Sequence, residues 1–513
     1  MDKQDHKLLN QTILALFPRA EKYSEFHLEN SFVDIANLST LLSIPVNQII
    51  YGRRGTGKTH LFTYQSFKLK QKGAMTVNID LRTVGSNGGI YGDKKTSLNE
   101  RASALTRDVL IYTINEFLNY VLYTKKEEVV LEDFEEIYEQ LHQAINQIEI
   151  VGTLQSNQNE KHIELNENQE SKEKTTGNII KGRPYNRISF PSINKLFNKL
   201  IEIMKIDSIF IFLDEWSEIP IELQPYLADL LRRTLFPIKK ISLKIAAIQY
   251  RSNFIIQKDS HSYIGLELGS DIATSIDLDE LVVFENNFDT SRDFFSRFIF
   301  NHITNQGYNN DILQKYRITT SKELIDIMFS DQDAFDEIIK ASEGNPRDAI
   351  QILQESAMKA NGFKISQEHI REGARQFFNK SKEYNVRARE DAYPFLQWII
   401  RSVIKERGVR AFLLGASRRN ELIDFLYSNR VLHIIKSGII DLDNPDRRYR
   451  VYAIDYGCYI DLLRADKAPQ GLLSYKNERN NVKYIKVLEN QYGPLVLERA
   501  VLKLEEYRKS MNK

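Results

Sequence analysis

Eight consecutive residues, Gly52-Arg53-Arg54-Gly55-Thr56-Gly57-Lys58-Thr59, have the types and spacing to hold a polyphosphate. The glycines let the backbone turn tightly and aim successive N–H groups at phosphate oxygens. Lys58 reaches the β- and γ-phosphates, and Thr59 offers a hydroxyl to Mg²⁺. With His60, which follows at once, these residues are the candidate nucleotide-binding set. A second run, Ile209-Phe210-Ile211-Phe212-Leu213-Asp214-Glu215, closes an apolar stretch with two carboxylates. Continuous apolar runs mark strands buried on both faces, and ligands of such sheets sit at the strands' carboxyl ends. Asp214 is then placed to hold the metal and Glu215 to polarise an attacking water. An acid pair favours hydrolysis over nucleotide storage.

The surrounding sequence supplies the elements that must position these groups. Residues 46–51 (VNQIIY) read as a short buried strand and 60–69 (HLFTYQSFKL) as a helix, the strand–loop–helix order that the glycine pattern needs. Further strands are predicted over 75–81, 242–250 and 279–284, and helices over 99–123, 131–150 and 224–235. Gln249, closing the strand at 242–250, is the candidate to face the γ-phosphate; a plain polar residue at a sheet end is the competing reading. Residues 153–185 are polar and nearly free of large apolar side chains. They read as a flexible insertion or as a segment that orders on a partner. In Glu343-Gly344-Asn345-Pro346-Arg347-Asp348, Asn345 caps a helix and Pro346 takes its first position. Arg347 then projects from the first turn, either toward a ligand or into solvent.

Toward the C-terminus, 394–405 and 417–429 carry helical patterns, 431–435 opens a shorter apolar segment, and 438–442 and 449–454 read as a hairpin around Asp443-Asn444-Pro445-Asp446. Helices followed by a hairpin suit a winged helix. Arg418, Arg419 and Arg430 lie near the helices and Arg447, Arg448 and Arg450 at the wing, where arginines can clamp a phosphate backbone. These six are the DNA-binding candidates; a protein-docking winged helix with a solvated basic face is the alternative. A final helix is predicted over 494–509.

Taken in order, the glycine loop, the strand ending in Asp214-Glu215 and the Gly-Asn-Pro-Arg helix start resemble AAA+ P-loop ATPases, in particular the origin-recognition initiator clade and its bacterial relatives. The resemblance spans roughly 25–465. It implies an α/β fold, with a parallel sheet carrying helices on both faces, a helical lid and a C-terminal winged-helix domain. Arg347 matches the lid arginine that touches the γ-phosphate. Gln249 stands where the family usually has Asn, Thr or Ser. The helix carrying Arg232 and Arg233 is similar to one whose arginines couple neighbouring subunits; Arg251 is a third candidate for an arginine acting in trans. The expected domains are 1–285 for nucleotide binding, 286–385 for the lid, 386–470 for the winged helix and 471–513 for a helical tail.

Bulk properties set the limits. The 513 residues allow several domains, and the formal net charge of +1 means that nucleic-acid contact must come from a local patch. One cysteine, Cys458, excludes a disulfide framework and fits a reducing cytosol. No apolar stretch approaches the roughly 18 residues of a membrane span, and the N-terminal residues lack an apolar signal core. The expectation is a cytoplasmic, Mg²⁺-dependent ATPase that binds ATP, self-associates or joins a partner protein from its own operon, and acts on DNA in defence, replication loading or transposition. The alternative is an ATP-driven assembly switch or a regulatory subunit that activates a separate effector.

Overall fold

The computed structural model describes residues 2–84, 96–125, 127–156, 164–165, 171–175, 178–186, 188–259, 262–282, 288–305, 311–416, 420–440, 444, 446–461 and 501–511. They form two compact units. The first comprises Met1–Leu38, Tyr51–Tyr64 and Asp277–Lys513, the second Ser39–Ile50 and Gln65–Ile276. In chain order the strands are β1 (Gln48–Tyr51), β2 (Met75–Asp80), β3 (Ile148–Ser156), β4 (Glu164–Leu165), β5 (Ser171–Thr175), β6 (Asn178–Asn186), β7 (Ile209–Asp214), β8 (Ile241–Ala247), β9 (Ile255–Asp259), β10 (Ser262–Gly265), β11 (Thr274–Asp277), β12 (Ala411–Gly415), β13 (Leu432–Ile440) and β14 (Arg448–Ile454).

The second unit is built on a five-stranded sheet ordered β11-β1-β8-β7-β2. Strands β2, β7 and β8 pair in parallel, with Ile209 opposite both Met75 and Ile241. Residues 209–213 are all buried, which is why this strand reads as an unbroken apolar run rather than an alternating one. Helices Leu98–Tyr120, Leu131–Ile145, Phe190–Met204 and Gln224–Thr234 belong to the same unit. The first opens with a capping box in which Ser97 and Glu100 satisfy each other's backbone N–H groups. Lys244 is the unusual member of the core. It lies in β8 with no exposure, and its Nζ donates to Ile44 O at 2.7 Å, Val46 O at 2.8 Å and Gln48 Oε1 at 2.5 Å. A buried ammonium thereby fixes the chain that enters β1.

In the first unit one hydrophobic core joins the N-terminal helix Lys3–Leu14 to the helices between 288 and 428 and to the C-terminal strands. Leu9, Ile13, Phe295, Phe335, Leu353, Phe395, Leu426 and Ile454 all contribute. Strands β12 and β13 both pair antiparallel with β14, which is central.

Several expectations are corrected. Residues 279–282 of the strand expected over 279–284 are helical, within Leu278–Val282, and 283–284 lie outside the described residues; the fifth strand of the sheet is β11, immediately upstream. The Asp277 side chain accepts from Asp279 N–H at 2.9 Å and starts the helix, a local bond that decides between helix and strand for a short apolar run. The polar segment 153–185 contributes strands to a four-stranded antiparallel sheet ordered β3-β6-β5-β4. Its composition speaks to burial, whereas a ladder is satisfied main chain to main chain. The strand expected over 242–250 ends at Ala247. Residues 432–435 and 438–440, expected in two separate segments, belong to one strand, β13, in which Gly438 takes a φ of +78°; 441–442 lie outside the described residues. Strand β12 had no counterpart in the sequence reading. Of the helix expected over 494–509, residues 494–500 lie outside the described residues; Leu504–Met511 is helical, and Leu502 N–H donates to Leu413 O at 3.0 Å.

Burial without hydration pushes the Lys244 ammonium from 10.5 down to about 7. Between those values the unfolded chain still holds the proton that the folded chain has released, so stability rises with pH across that window and is flat below it. The limiting slope is about 1.4 kcal/mol per pH unit. Denaturant unfolding of wild type and Lys244→Met, compared from about pH 7 to about pH 9, is expected to show this rise in wild type only. Parallel pH profiles for the two proteins would remove the assignment.

Candidate functional site

The loop after β1 is built as its glycines require. Gly55 and Gly57 take φ values of +92° and +95°, in the left-handed region open to glycine. A Cβ on Gly55 would also strike Asn345 Oδ1 at 2.6 Å and Arg347 Cβ at 2.8 Å. Thr56 Oγ1 donates to Arg53 O at 2.9 Å and closes the turn. Lys58 opens the helix Lys58–Gln71 and is 7 % exposed. Its Nζ donates to Gly52 O at 2.7 Å and Arg53 O at 3.0 Å, so a buried cation sits inside the curl of the loop. Thr59 is the next residue of that helix.

The third motif meets this loop. Asn345 is fully buried; its Oδ1 accepts from Arg347 and Asp348 N–H, and its Nδ2 donates to Arg54 O at 2.9 Å. Arg347 N–H also donates to Gly55 O at 3.3 Å. The Arg347 side chain is half-buried, with Nε donating to Pro18 O at 3.3 Å. Burial and the nearby Arg430 lower its pKa. Arg53 turns into the protein. It is 2 % exposed, and its backbone N–H and Nε donate to the two oxygens of Asp279 at 2.8 and 2.7 Å.

Beside the loop lies a cavity of about 550 Å³, counting the part open to solvent. It is lined by Thr56, Gly57, His60 and Leu61 and by apolar side chains that include Phe32, Val33, Leu278, Phe294, Phe298 and Pro346. Its polar groups are few. His60 contacts Leu28 O through Nε2 at 2.7 Å, and burial pushes its pKa down to about 4, so the ring is neutral. Ser31 is fully buried in the cavity wall, and among the described residues its Oγ has no hydrogen-bond partner. An apolar slot with one or two polar groups suits a planar ring.

The carboxylates belong to the second unit. Asp214 ends β7 in register with Asp80 at the end of β2. Glu215 follows in the left-handed region at φ 57°, and its N–H donates to Asp214 Oδ1 at 2.8 Å. Non-glycine residues in that region concentrate at functional turns. Arg82 grips Asp80 at 2.6 Å and lies 3.9 Å from Glu215 Oε1. Burial raises the Asp80 carboxyl, and its bonds to Arg82 outweigh this and leave it below the usual range. Among the described residues no three His, Cys, Asp or Glu side chains are arranged to cage a metal ion.

The other candidates are scattered. Gln249 is exposed on a one-turn helix that also holds Arg251. Arg232 and Arg233 both pair with Asp229, at 2.7 Å each, and Arg232 lies over the Tyr263 ring. Arg447 and Arg448 are exposed at the start of β14, and Arg450 is half-buried opposite Leu414. Arg430 is drawn inward by a 2.5 Å ion pair with Asp348, whereas Arg418 and Arg419 lie outside the described residues. Sequence reasoning missed Ser31, Asp80, Arg82 and Asp279. Only Asp80 carried a signal, since it lies near the end of a predicted strand as Asp214 does.

No protein-family model matches the chain, and no curated protein matches it. Among solved structures it is similar to the Holliday junction branch migration motor RuvB of Thermotoga maritima, at 11% identity and a TM-score of 0.33, over 85% of this chain and 98% of that one. A point variant of the same protein gives 12% identity and a TM-score of 0.34 over the same shares. The Orc1 protein of Aeropyrum pernix in complex with DNA gives 12% identity and 0.29, over 86% of this chain and 98% of that one.

Asn345 serves both the helix and the loop, and two variants separate these roles. Asn345→Ala is expected to lose about 1–2 kcal/mol of stability, read from thermal melts. Asn345→Asp keeps the cap but cannot donate to Arg54 O. With a buried carboxylate oxygen set against the Arg54 carbonyl it should melt below wild type and, where folded, bind a nucleoside triphosphate at least about threefold more weakly. Unchanged affinity in Asn345→Asp would mean that the bond to the loop has no bearing on the ligand.

Proposed function

We propose that the chain is a Mg²⁺-dependent ATPase of AAA+ type that acts on DNA. The observation that carries this reading is the buried Lys58 ammonium inside a glycine-walled loop at the end of a buried strand. That arrangement places a cation and the N–H groups of a glycine loop where a triphosphate would lie. Lys58 binds the β- and γ-phosphates, Gly52–Gly57 and Arg54 wrap them, and the apolar slot beside His60 takes the base. The Thr59 hydroxyl and Asp214 are the groups that fit Mg²⁺, which takes few protein ligands and shares phosphate oxygens and water. Bound there, the ion would neutralise charge on the phosphates. Glu215 accepts a proton from the attacking water, and Arg82 sets how freely its carboxylate moves. Arg347, at the helix that touches Gly55, senses the loop's occupant.

Self-association, or a partner from the same operon, would complete such a site through Arg232, Arg233 or Arg251. DNA contact falls to Arg447, Arg448 and Arg450 on the hairpin of a winged helix. Arg430 is the weaker DNA candidate, because Asp348 already neutralises it. Among the described residues no helix is long and apolar enough to cross a membrane.

Two variants test the chemistry together. Lys58→Ala is expected to lose at least tenfold in ATP affinity or turnover, about 1.4 kcal/mol or more. Glu215→Gln should bind ATP as wild type does and hydrolyse it far more slowly. Wild-type turnover in either folded variant would remove the corresponding role. For DNA, neutralising Arg447, Arg448 and Arg450 together should weaken duplex binding and flatten its dependence on salt, because fewer counterions are released. Equal binding across a salt titration would point to protein docking instead.

A further inference from the structure

Arg53 occupies a variable position of the phosphate loop, yet it is one of the largest fully buried side chains. Beyond Asp279, it donates to Glu343 O at 3.1 Å and to His433 Nδ1 on β13. A guanidinium only donates, so Nδ1 of His433 must carry the lone pair. The ring proton is then on Nε2, which donates to Asp455 Oδ2 at 2.9 Å. Asp455 directly follows β14 and also accepts from Lys382 at 2.5 Å. Lys382, 1 % exposed, reaches Asp348 at 2.9 Å, and Arg430 pairs with that same carboxylate. Asp348 lies in the first turn of the helix whose cap touches Arg54 and Gly55. The path therefore leaves the loop through Arg53, crosses the C-terminal sheet and returns to the loop through Asn345.

The network is balanced in formal charge, although burial pushes the Glu343 carboxyl up to about 8. Arg53, Lys382, Arg410 and Arg430 face Asp279, Glu343, Asp348 and Asp455, with Arg410 pairing Glu343 at 2.7 Å. Packing alone does not call for it: well-packed apolar side chains commonly match or exceed the stability of buried ion pairs. What it adds is direction, because each member donates or accepts in only one way. We propose that Arg53 and His433 are positioning residues that tie the phosphate loop to the C-terminal sheet, so that nucleotide in the loop alters β13 and β14. This rests on reading residues 52–59 as a nucleotide loop. Phosphates drawing on the loop's N–H groups shift the Arg53 backbone, and its side chain, held at both ends, passes the shift to His433. By linkage, whatever binds β13–β14 changes nucleotide affinity by the same factor.

The test is hydrogen exchange of the β13 and β14 amides, with and without a slowly hydrolysed ATP analogue and Mg²⁺. Wild type should change protection there by about fivefold or more. His433→Leu cuts the path without adding or removing formal charge and should abolish the response. His433→Gln, which can accept from Arg53 and donate to Asp455, should restore most of it. Arg53→Lys keeps a cation against Asp279 but loses the fork that reaches His433 and Glu343. It should fail as His433→Leu does, and it decides the question should that variant not fold. Analogue binding without any change at β13–β14 in wild type overturns the inference, as does an equal response in wild type and a folded path-cutting variant. Calorimetry separates the two readings: absence of analogue binding to wild type sinks the nucleotide assignment itself, whereas binding without an exchange response sinks only this coupling.

Discussion

Burial of the Arg53 guanidinium constrains much of the first unit. This group cannot shed its charge by deprotonating, so the protein must bring an acid and further acceptors to it. Asp279 supplies both carboxylate oxygens, one to the side chain and one to the loop's own N–H, and so sets the loop's entry angle as well as its charge. The third acceptor, Glu343 O, belongs to a turn in which Glu343 and Gly344 both have positive φ. That turn delivers Asn345 to the cap of the next helix. One arginine thus links the start of one helix, the start of another and a strand of the C-terminal sheet to the ends of a single glycine loop.

The second unit solves a different problem by similar means. Its sheet must hold Asp214 and Glu215 rigidly at a strand end, and it does so by burying β7 on both faces. Lys244 is the cost of a tight approach to β1: its ammonium satisfies two carbonyls and the Gln48 amide oxygen at a fully buried position. The strained φ at Glu215 turns the chain within one residue after β7. Asp214 then bonds the next N–H instead of leaving that donor buried and unmade.

What the sequence disclosed follows from how local each determinant is. The glycine loop, the strand at 209–214 and the Asn-Pro helix start depend on φ preferences, unbroken apolar runs and capping, all contained within a few residues. They stand in the structure where their patterns place them. The short run at 279–284 failed because length and hydrophobicity cannot separate helix from strand there, and one Asp277 side chain made the choice. The strands within 153–185 were not legible because composition measures what can be buried and not what backbone can pair with backbone. Asp279 and His433 were illegible for another reason: their partners are 226 and 380 positions away along the chain, and neither sits in a pattern of its own.

This distance also accounts for the form of the coupling network. Apolar side chains joining such remote segments would gain area but accept many relative placements, since dispersion and hydrophobic burial are nearly non-directional. A guanidinium that only donates, carboxylates that only accept and a neutral imidazole with one of each allow one arrangement of protons and therefore one placement of the three segments. Each link is short, and losing any member leaves a buried charge or an unmade bond worth several kcal/mol. The segments must therefore move together or not at all. That property matters most at a loop whose glycines would otherwise let it take many shapes before its ligand arrives.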